Sequence, residues 1–372
     1  MDPDSLTAEL ERFSAETPIE RAWMPPSSWY TSPAFHALES EAVFQDTWQP
    51  VARLSELSSA GSYVTGRLAN QPWIVVRGDD GELRAFHNTC RHKGREVMTG
   101  CGTCEELVCG YHAWSYDSAG RLKSAPMMAG VEDFDREAMG LKPLQVEAWG
   151  LWAFIHLGSP PSSLEVEMRE LNEGLGAPGW DKLTFHEEKT WQIRCNWKVV
   201  CDNYLDGGYH IPHMHPSLDA QIEMGSYKTE LYAKHSIQTA PPNKGDDSRI
   251  AIDPQERIGD AARYAWVYPN IMINRYGPCV DTNIVTPTGP DSCEVRYEFF
   301  FNTDGGTEAQ RFIQESVTQS DVTQREDIEI CESVQAGLSS KSYVTGRYAP
   351  KVELGEHHFH CLLASSLKRA LS

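Results

Sequence analysis

Two short stretches of the chain each place a cysteine and a histidine close together. They are CRHKG, with Cys90 and His92, and CGYH, with Cys109 and His112. Four such ligands from two loops hold either zinc or an iron–sulfur cluster. Structural zinc sites usually take paired cysteines from one loop, whereas a Rieske [2Fe–2S] centre takes two cysteines and two histidines. The pattern therefore favours a Rieske cluster, with structural zinc as the alternative.

Short predicted strands surround both Cys/His pairs. Residues 73–87 predict a β-hairpin, because two apolar stretches flank a Gly-Asp-Asp-Gly turn. The stretch GSPPSS at 158–163 is typical of a domain boundary. We therefore predict a β-rich [2Fe–2S] domain over residues 47–158 and a second domain that combines residues 1–46 with residues 159–372.

Composition excludes several classes of partner. The chain has 33 basic and 53 acidic residues, a net charge of −20, which argues against nucleic acid and anionic membranes. No run of about 20 apolar residues predicts a transmembrane helix, and the acidic N-terminus lacks the apolar centre of a signal peptide. Ten cysteines form no secreted disulfide pattern, so we expect the cytoplasm or, after removal of a leader, an organelle. Cys101 and Cys104 of CGTC are expected to be reduced, with a redox disulfide or an extra metal ligand as the alternatives.

A second group of histidines lies in CDNYLDGGYHIPHMHPSL. Residues 197–205 predict a helix with one apolar face, and Pro212 prevents its continuation through the histidines. The resulting irregular turn lets His210 and His215 converge, with His213 as a possible replacement for either. A non-haem Fe(II) site takes two histidines and one carboxylate and leaves positions for O2. A surface histidine cluster is the alternative, but a nearby electron carrier favours iron.

The carboxylate is expected from a later helix, predicted over residues 307–337. That helix offers Asp321, Glu326, Asp327 and Glu329. Asp327 shares a helical face with Cys331 and Val334, and a carboxylate on an apolar face is costly to bury unless it binds something. Asp327 is therefore the preferred iron ligand.

Five stretches resemble the Rieske non-haem iron oxygenase α subunits, and among them the plant-type choline monooxygenases. They are PPSSWY (25–30), AFHNTCRH (85–92), CGYHAW (109–114), CDNYLDGGYHIP (201–212) and GRYAPKVE with EHHFH (346–360). The similarity spans nearly the whole chain. It implies an α+β fold, in which a Rieske domain accompanies a catalytic domain whose antiparallel sheet wraps around a long C-terminal helix, as in helix-grip folds.

The resemblance also implies cofactors, partners and an activity. It assigns one [2Fe–2S] cluster to Cys90, His92, Cys109 and His112, and one mononuclear Fe(II) to His210, His215 and Asp327. It implies a homotrimer that takes electrons from reduced ferredoxin and oxidises choline to betaine aldehyde hydrate, for glycine betaine synthesis. With a leader removed, the compartment would be the chloroplast stroma.

One position departs from the wider superfamily. Many members carry an aspartate three residues before the first iron histidine, where it bridges to a neighbouring subunit's cluster, whereas this chain has Gly207. Asp206 lies one helical turn before His210 and is expected to orient that imidazole. Asp206, Asp202 and Asn203 are the candidate catalytic residues.

The substrate residues are expected among aromatic side chains. A quaternary ammonium cannot donate a hydrogen bond, so aromatic faces should surround it. Tyr264, Trp266 and Tyr268 alternate along a predicted strand and face one side; a sheet core is the alternative for each. Trp266 and Tyr204 are the candidate substrate residues, and the polar segment 241–260 is predicted to form a lid. Carnitine, glycine betaine and an aromatic ring remain alternative substrates.

Basic residues gather near the Cys/His pairs in spite of the acidic composition. They are Arg91, Lys93, Arg95, Arg121 and Lys123. This basic patch is either an ordinary solvated surface or a docking site for an acidic ferredoxin.

Overall fold

The computed structural model describes residues 3–175, 179–244, 252–303 and 305–371. The chain divides into two compact units, one formed by Ser40–Met168 and the other by Met1–Glu39 with Arg169–Ser372. In chain order the α-helices are α1 Pro3–Leu10, α2 Ser28–Thr31, α3 Pro33–Glu39, α4 Leu164–Gly174, α5 Trp197–Leu205, α6 Ile211–Met214, α7 Pro216–Asp219, α8 Pro254–Ile258, α9 Thr307–Leu338 and α10 Leu354–Leu371.

The unit Ser40–Met168 is β-rich. Its strands are β1 Gln49–Arg53, β2 Ser62–Leu68, β3 Gln71–Arg77, β4 Leu83–His87, β5 Cys101–Thr103, β6 Leu107–Val108, β7 Ser115–Tyr116, β8 Leu122–Ser124, β9 Pro143–Trp149 and β10 Trp152–His156. Seven strands form an antiparallel sheet in the order β1-β10-β9-β4-β3-β2-β5, and β6-β7-β8 form a smaller sheet. The predicted hairpin corresponds to β3 and β4. The Cys/His loops follow β4 and β6, so two sheets present them.

The other unit is built on a second antiparallel sheet. Its strands are β11 Thr184–Ile193, β12 Lys228–Leu231, β13 His235–Ala240, β14 Ala262–Val267, β15 Ile271–Tyr276, β16 Cys279–Gly289 and β17 Ser292–Phe301. Their order is β11-β17-β16-β15-β14-β13-β12, and α5 packs on β16, β17 and α9. The α+β fold class is confirmed. The long helix is α9, however, and α10 follows it; the sequence pattern did not predict α10.

A buried ion pair anchors the start of α5, the helix that leads to the histidine cluster. The Asn196 side chain caps the helix by accepting from the Lys198 N–H at 3.1 Å. The Lys198 ammonium lies 2.5 Å from one oxygen of Glu39, whose other oxygen accepts from the Trp197 indole at 2.8 Å. Lys198 and Glu39 are 0% and 1% exposed, and burial lowers the pKa of Lys198. The pair therefore fixes α5 against α3.

Replacing Lys198 with methionine should destabilise this unit by about 3–5 kcal/mol, because Glu39 would stay buried without its counter-charge. Guanidinium unfolding followed by circular dichroism measures the change. Arg194→Ala is the matched control: Arg194 also pairs with a carboxylate, Glu332, but is 86% exposed, so a much smaller loss is expected. Equal losses in the two variants would contradict this account.

Candidate metal centres

The two Cys/His loops share one backbone geometry. In each loop the cysteine N–H donates to a carbonyl at the far end of the loop, over 2.8 Å from Cys90 and 2.9 Å from Cys109. The cysteine carbonyl accepts from the residue just before that end, Gly94 or Ala113, at 2.9 and 3.0 Å. Gly94 and Ala113 have φ values of +74° and +55°, which close each loop tightly. Both loops therefore present their side chains from similar tight turns.

The four predicted cluster ligands come together between these loops. The thiols of Cys90 and Cys109 are buried and free, and the rings of His92 and His112 lie 4.6 Å apart. The Nδ1 atom of His92 is buried and has no hydrogen-bond partner within the described residues. Burial is the main cause of the raised pKa of Cys109, so a thiolate there needs a cation. Two thiols and an imidazole nitrogen lacking a partner fit a [2Fe–2S] cluster.

Neighbouring side chains support this site. The indole of Trp114 stacks on His92 with centroids 5.0 Å apart, and the Tyr116 hydroxyl lies 3.4 Å from the Cys90 sulfur. Cys101 and Cys104 are also free thiols, exposed and half-buried respectively.

The turn after α5 positions the first histidine of the second site. Asp206 ends α5, and its carboxylate accepts from the N–H groups of Gly208, Tyr209 and His210 at 2.9, 3.1 and 2.9 Å. Gly207 and Gly208 both have positive φ, +74° and +76°. The chain therefore reverses within two residues and directs His210 back toward α9.

His210, His215 and Asp327 converge as predicted, with potential ligand atoms all within 4.8 Å of one another. The Nε2 atoms of His215 and His210 lie 3.0 and 3.9 Å from Asp327 Oδ1. The Nδ1 atom of His210 lies 2.6 Å from the Asp206 carboxylate, and the Nδ1 atom of His215 lies 2.7 Å from the Glu326 carboxylate. Burial lowers the pKa of His215, but Asp327 and Glu326 outweigh it and raise the pKa overall. Two carboxylate-oriented imidazoles beside a third carboxylate fit a mononuclear iron site.

Of the remaining histidine and carboxylate candidates, only Glu326 contacts an iron-ligand candidate through its side chain within the described residues. His213 is exposed on α6, and Glu329 is exposed on α9. Asp321 pairs with Lys189 at 2.7 Å. Glu326 contacts the other ring nitrogen of His215, a role that we did not predict. The sequence could have indicated it, because a histidine that binds a metal usually has a hydrogen-bond partner for its second nitrogen.

The candidate catalytic residues on α5 face different ways. Asn203 donates to Asp327 Oδ1 at 2.7 Å, whereas Asp202 accepts from the Tyr30 hydroxyl at 2.8 Å and lies 3.0 Å from His360 Nε2. His360, from the EHHFH stretch, is fully buried, and its Nδ1 lies 2.7 Å from the Tyr348 hydroxyl. Asp202 thus belongs to a buried hydrogen-bonded cluster, and Asn203 and Asp206 adjoin the iron ligands.

Gly207 has a structural reason to lack a side chain. A Cβ at this position would lie 2.1 Å from the carbonyl oxygen of Val352, and its φ is +74°. The segment before α10 therefore leaves no space for a side chain at this position.

Gly207→Asp should consequently destabilise the protein by more than about 2 kcal/mol, from left-handed strain and steric overlap, and should not raise activity. Thermal unfolding and turnover measure these effects. Gly225→Ala is the control, since the φ angle of Gly225 lies outside the left-handed region and only Glu223 lies within 4 Å of the added carbon. A stable, more active Gly207→Asp enzyme would show that the position is open after all.

A cavity of about 90 Å³ adjoins the three iron-ligand candidates. Five tyrosines line it: Tyr204, Tyr227, Tyr264, Tyr276 and Tyr297. Burial is the main cause of the raised pKa of each phenol, so all five stay neutral. Tyr227 and Tyr264 stack at 6.3 Å, and Tyr264 meets Tyr276 edge-on at 5.7 Å. The cavity thus offers several neutral aromatic faces beside the iron site.

Trp266 does not line this cavity, contrary to expectation, and neither does Tyr268. The Trp266 indole donates to the Pro269 carbonyl at 3.2 Å, and its ring packs 5.4 Å from Phe359 of α10. Tyr268 donates to Ser366, also on α10. Both residues share a sheet face with Tyr264, but α10 covers that part of the sheet. Because the sequence pattern did not predict α10, the strand pattern alone could not show which of these aromatic residues line the cavity and which are buried in the core.

The predicted lid and basic patch are described in part. Residues 245–251 of the lid segment lie outside the described residues, and α8 in the remainder contributes Arg257 to the cavity wall. The five basic residues near the Cys/His loops are all exposed. Arg121 pairs with Asp117 at 2.8 Å. Among the described helices, none combines the length and apolar character needed to cross a bilayer.

Comparison with known proteins identifies both units. Residues 180–369 match the ring hydroxylating alpha subunit (catalytic domain), and residues 47–135 match the Rieske [2Fe-2S] domain. The chain is 42% identical to the chloroplastic choline monooxygenase of Arabidopsis thaliana, over 96% of this chain and 86% of that protein. It is 30% identical to the carnitine monooxygenase oxygenase subunit of Escherichia coli K12, over 99% of each.

Solved structures agree with these matches. The quaternary ammonium Rieske monooxygenase CntA in complex with L-carnitine superposes with a TM-score of 0.78 at 27% identity, covering 93% of this chain and 96% of that one. Naphthalene 1,2-dioxygenase from Rhodococcus sp. superposes with a TM-score of 0.79 at 19% identity, covering 98% of each chain, and shares the fold.

Proposed function

This chain belongs to the Rieske-type ring-hydroxylating alpha-subunit family, with a [2Fe–2S] domain and a non-haem iron catalytic domain, and from that premise we propose that it hydroxylates a quaternary amine. Choline is the proposed substrate, and betaine aldehyde hydrate, a precursor of glycine betaine, is the proposed product. Similarity to the choline monooxygenases supports this choice.

The observation that carries the proposal is the tyrosine-lined cavity beside His210, His215 and Asp327. A trimethylammonium group offers no hydrogen bond, and each aromatic face that it contacts contributes about 0.5–2 kcal/mol. Neutral phenols provide such faces without the large free-energy cost of removing several charged side chains from water. Tyr204 is held by donating to Asn274 at 2.8 Å, so its ring is fixed toward the cavity.

The proposed reaction needs both metal sites. When bound, the cluster supplies electrons one at a time and the mononuclear iron activates O2. Choline, O2, two electrons and two protons give the gem-diol and water; the carbinol C–H bond breaks and a C–O bond forms. In this scheme Asp206 and Glu326 orient the two iron histidines, and Asn203 orients Asp327.

We also propose the partners. The side chains of Arg91, Lys93 and Arg95 are exposed on the first cluster loop, which suits docking of an acidic ferredoxin. A homotrimer is proposed because one similar enzyme is described in terms of inter-subunit electron transfer. The cytoplasm or, after loss of a leader, the chloroplast stroma is the proposed compartment, since the similar plant enzymes are chloroplastic.

A single-turnover experiment tests the function. The reduced holoenzyme is mixed anaerobically with choline, glycine betaine, L-carnitine or naphthalene, exposed to O2, and analysed by mass spectrometry. Hydroxylated choline is the expected product. Preferential turnover of carnitine or glycine betaine would move the assignment within the amines, and turnover of naphthalene alone would reject it.

A further inference from the structure

Several polar atoms in the wall of the tyrosine-lined cavity are buried without a hydrogen-bond partner within the described residues. They are Asp281 Oδ2, Gln238 Oε1, Tyr264 Oη and Arg257 Nε. Protein interiors rarely leave such atoms unpaired. Since all four belong to residues that line one cavity, a ligand is the natural partner.

Asp281 is the most demanding of these groups. It lies on β16 opposite Asn274 of β15, is 2% exposed, and accepts from Asn274 at 2.6 Å through Oδ1 only. Burial raises its pKa to about 6, against the opposing effects of Asn274, Arg257 and the nearby Ser320 hydroxyl. Above that pH the cavity wall carries a negative charge with one oxygen lacking a partner.

Arg257 does not neutralise that charge directly. Its Nη1 donates to Gln221 at 2.5 Å, and its guanidinium lies 4.6 Å from the centre of the Tyr276 ring. Within the described residues it forms no hydrogen bond with Asp281. Its contacts with Gln221 and Tyr276 engage Nη1 and the face of the guanidinium, whereas Nε keeps no hydrogen-bond partner within the described residues.

We propose that Asp281 recognises the substrate's positive charge, so that this cavity selects a cation over an uncharged molecule of the same shape and over a zwitterion. The ammonium cannot donate a hydrogen bond, so Oδ2 attracts it through charge alone, while tyrosine rings surround its methyl groups. The inference rests on the proposed function and adds a residue for charge selection. It also predicts that choline is preferred to glycine betaine, because the carboxylate of glycine betaine adds a second negative charge to a cavity that already holds the Asp281 carboxylate.

The test measures binding to the anaerobic holoenzyme by calorimetry. The probes are choline, its uncharged isostere 3,3-dimethyl-1-butanol, and glycine betaine. Asp281→Asn keeps the shape and removes the charge, and should weaken choline binding by about 30-fold or more while changing isostere binding by less than about twofold. Asp291→Asn is the control, because Asp291 is exposed in the turn between β16 and β17 of the same hairpin.

Each outcome decides a separate point. Unchanged choline binding in Asp281→Asn, or equal losses for choline and the isostere, would overturn the inference and leave the proposed function standing. Tighter binding of glycine betaine than choline, lost in Arg257→Met, would make this a zwitterion site. If the variant does not fold, wild-type binding still decides: equal affinity for choline and the isostere overturns the inference. Failure of every amine to bind the wild type would reject the proposed function as well.

Discussion

His210→Ala is expected to reduce turnover by more than about 100-fold while the protein keeps its brown colour. His210 offers one of the three atoms that converge on the mononuclear site, and losing merely an outer partner of such a ligand already costs about 10–100-fold in metal affinity or activity. The four cluster ligands lie in the other unit and are untouched. Product formation, iron content and the visible spectrum measure the result.

His213→Ala is the matched control for this experiment. It removes an imidazole from the same short stretch, but His213 is exposed on α6 and lies outside the converging group. We expect nearly full activity and unchanged iron content. Loss of the visible spectrum in His210→Ala, or inactivity of His213→Ala alone, would mean that the two sites have been assigned wrongly.

Cys109→Ser should produce the opposite pattern. Serine is nearly the same size as cysteine, but its hydroxyl stays protonated and is a poor ligand for cluster iron, so the [2Fe–2S] absorption and EPR signal should disappear. The mononuclear iron should remain, at about one atom per chain, because two of its ligands flank α6 and the third lies on α9, all in the other unit. Turnover should fall below about 1% of the wild-type rate, as electrons no longer reach that iron.

The control for this variant is Cys104→Ser. Cys104 is half-buried and lies in CGTC between the two Cys/His loops, yet we place it outside the cluster. Its replacement should leave the spectrum and the rate unchanged. A bleached Cys104→Ser protein, or a Cys109→Ser protein that keeps its EPR signal, would require a different set of cluster ligands.

The residues that sequence reasoning brought together are those fixed by local geometry. The cluster ligands sit at fixed spacings in two tight loops, and His210 and His215 are separated by one short turn. The prediction of Asp327 used only the residue spacing of one helix and the free-energy cost of burying a carboxylate on its apolar face. The fold class followed from strand patterns and from the resemblance, and the structure and the matched families confirm it.

The contacts that the sequence did not reveal depend on tertiary packing. Trp266 and Tyr264 have the same strand pattern, and only the position of α10 makes one a core residue and the other a cavity residue. Glu326 points differently from Asp327 because successive helical residues are about 100° apart, so its contact with His215 depends on where the turn before α7 lies. Asp281 resembles any strand residue until its neighbours are known.

We expect one chain to hold an electron-carrying cluster and a separate oxygen-activating iron. Iron, zinc and acid-labile sulfide measured on the freshly reconstituted wild type, together with the EPR spectrum of the reduced protein, test it most directly. We predict a Rieske EPR signal and an iron-to-sulfide ratio of about 3:2, from two cluster irons and one mononuclear iron. Zinc as the sole metal, or a ratio of about 1:1 in fully loaded protein, would contradict it.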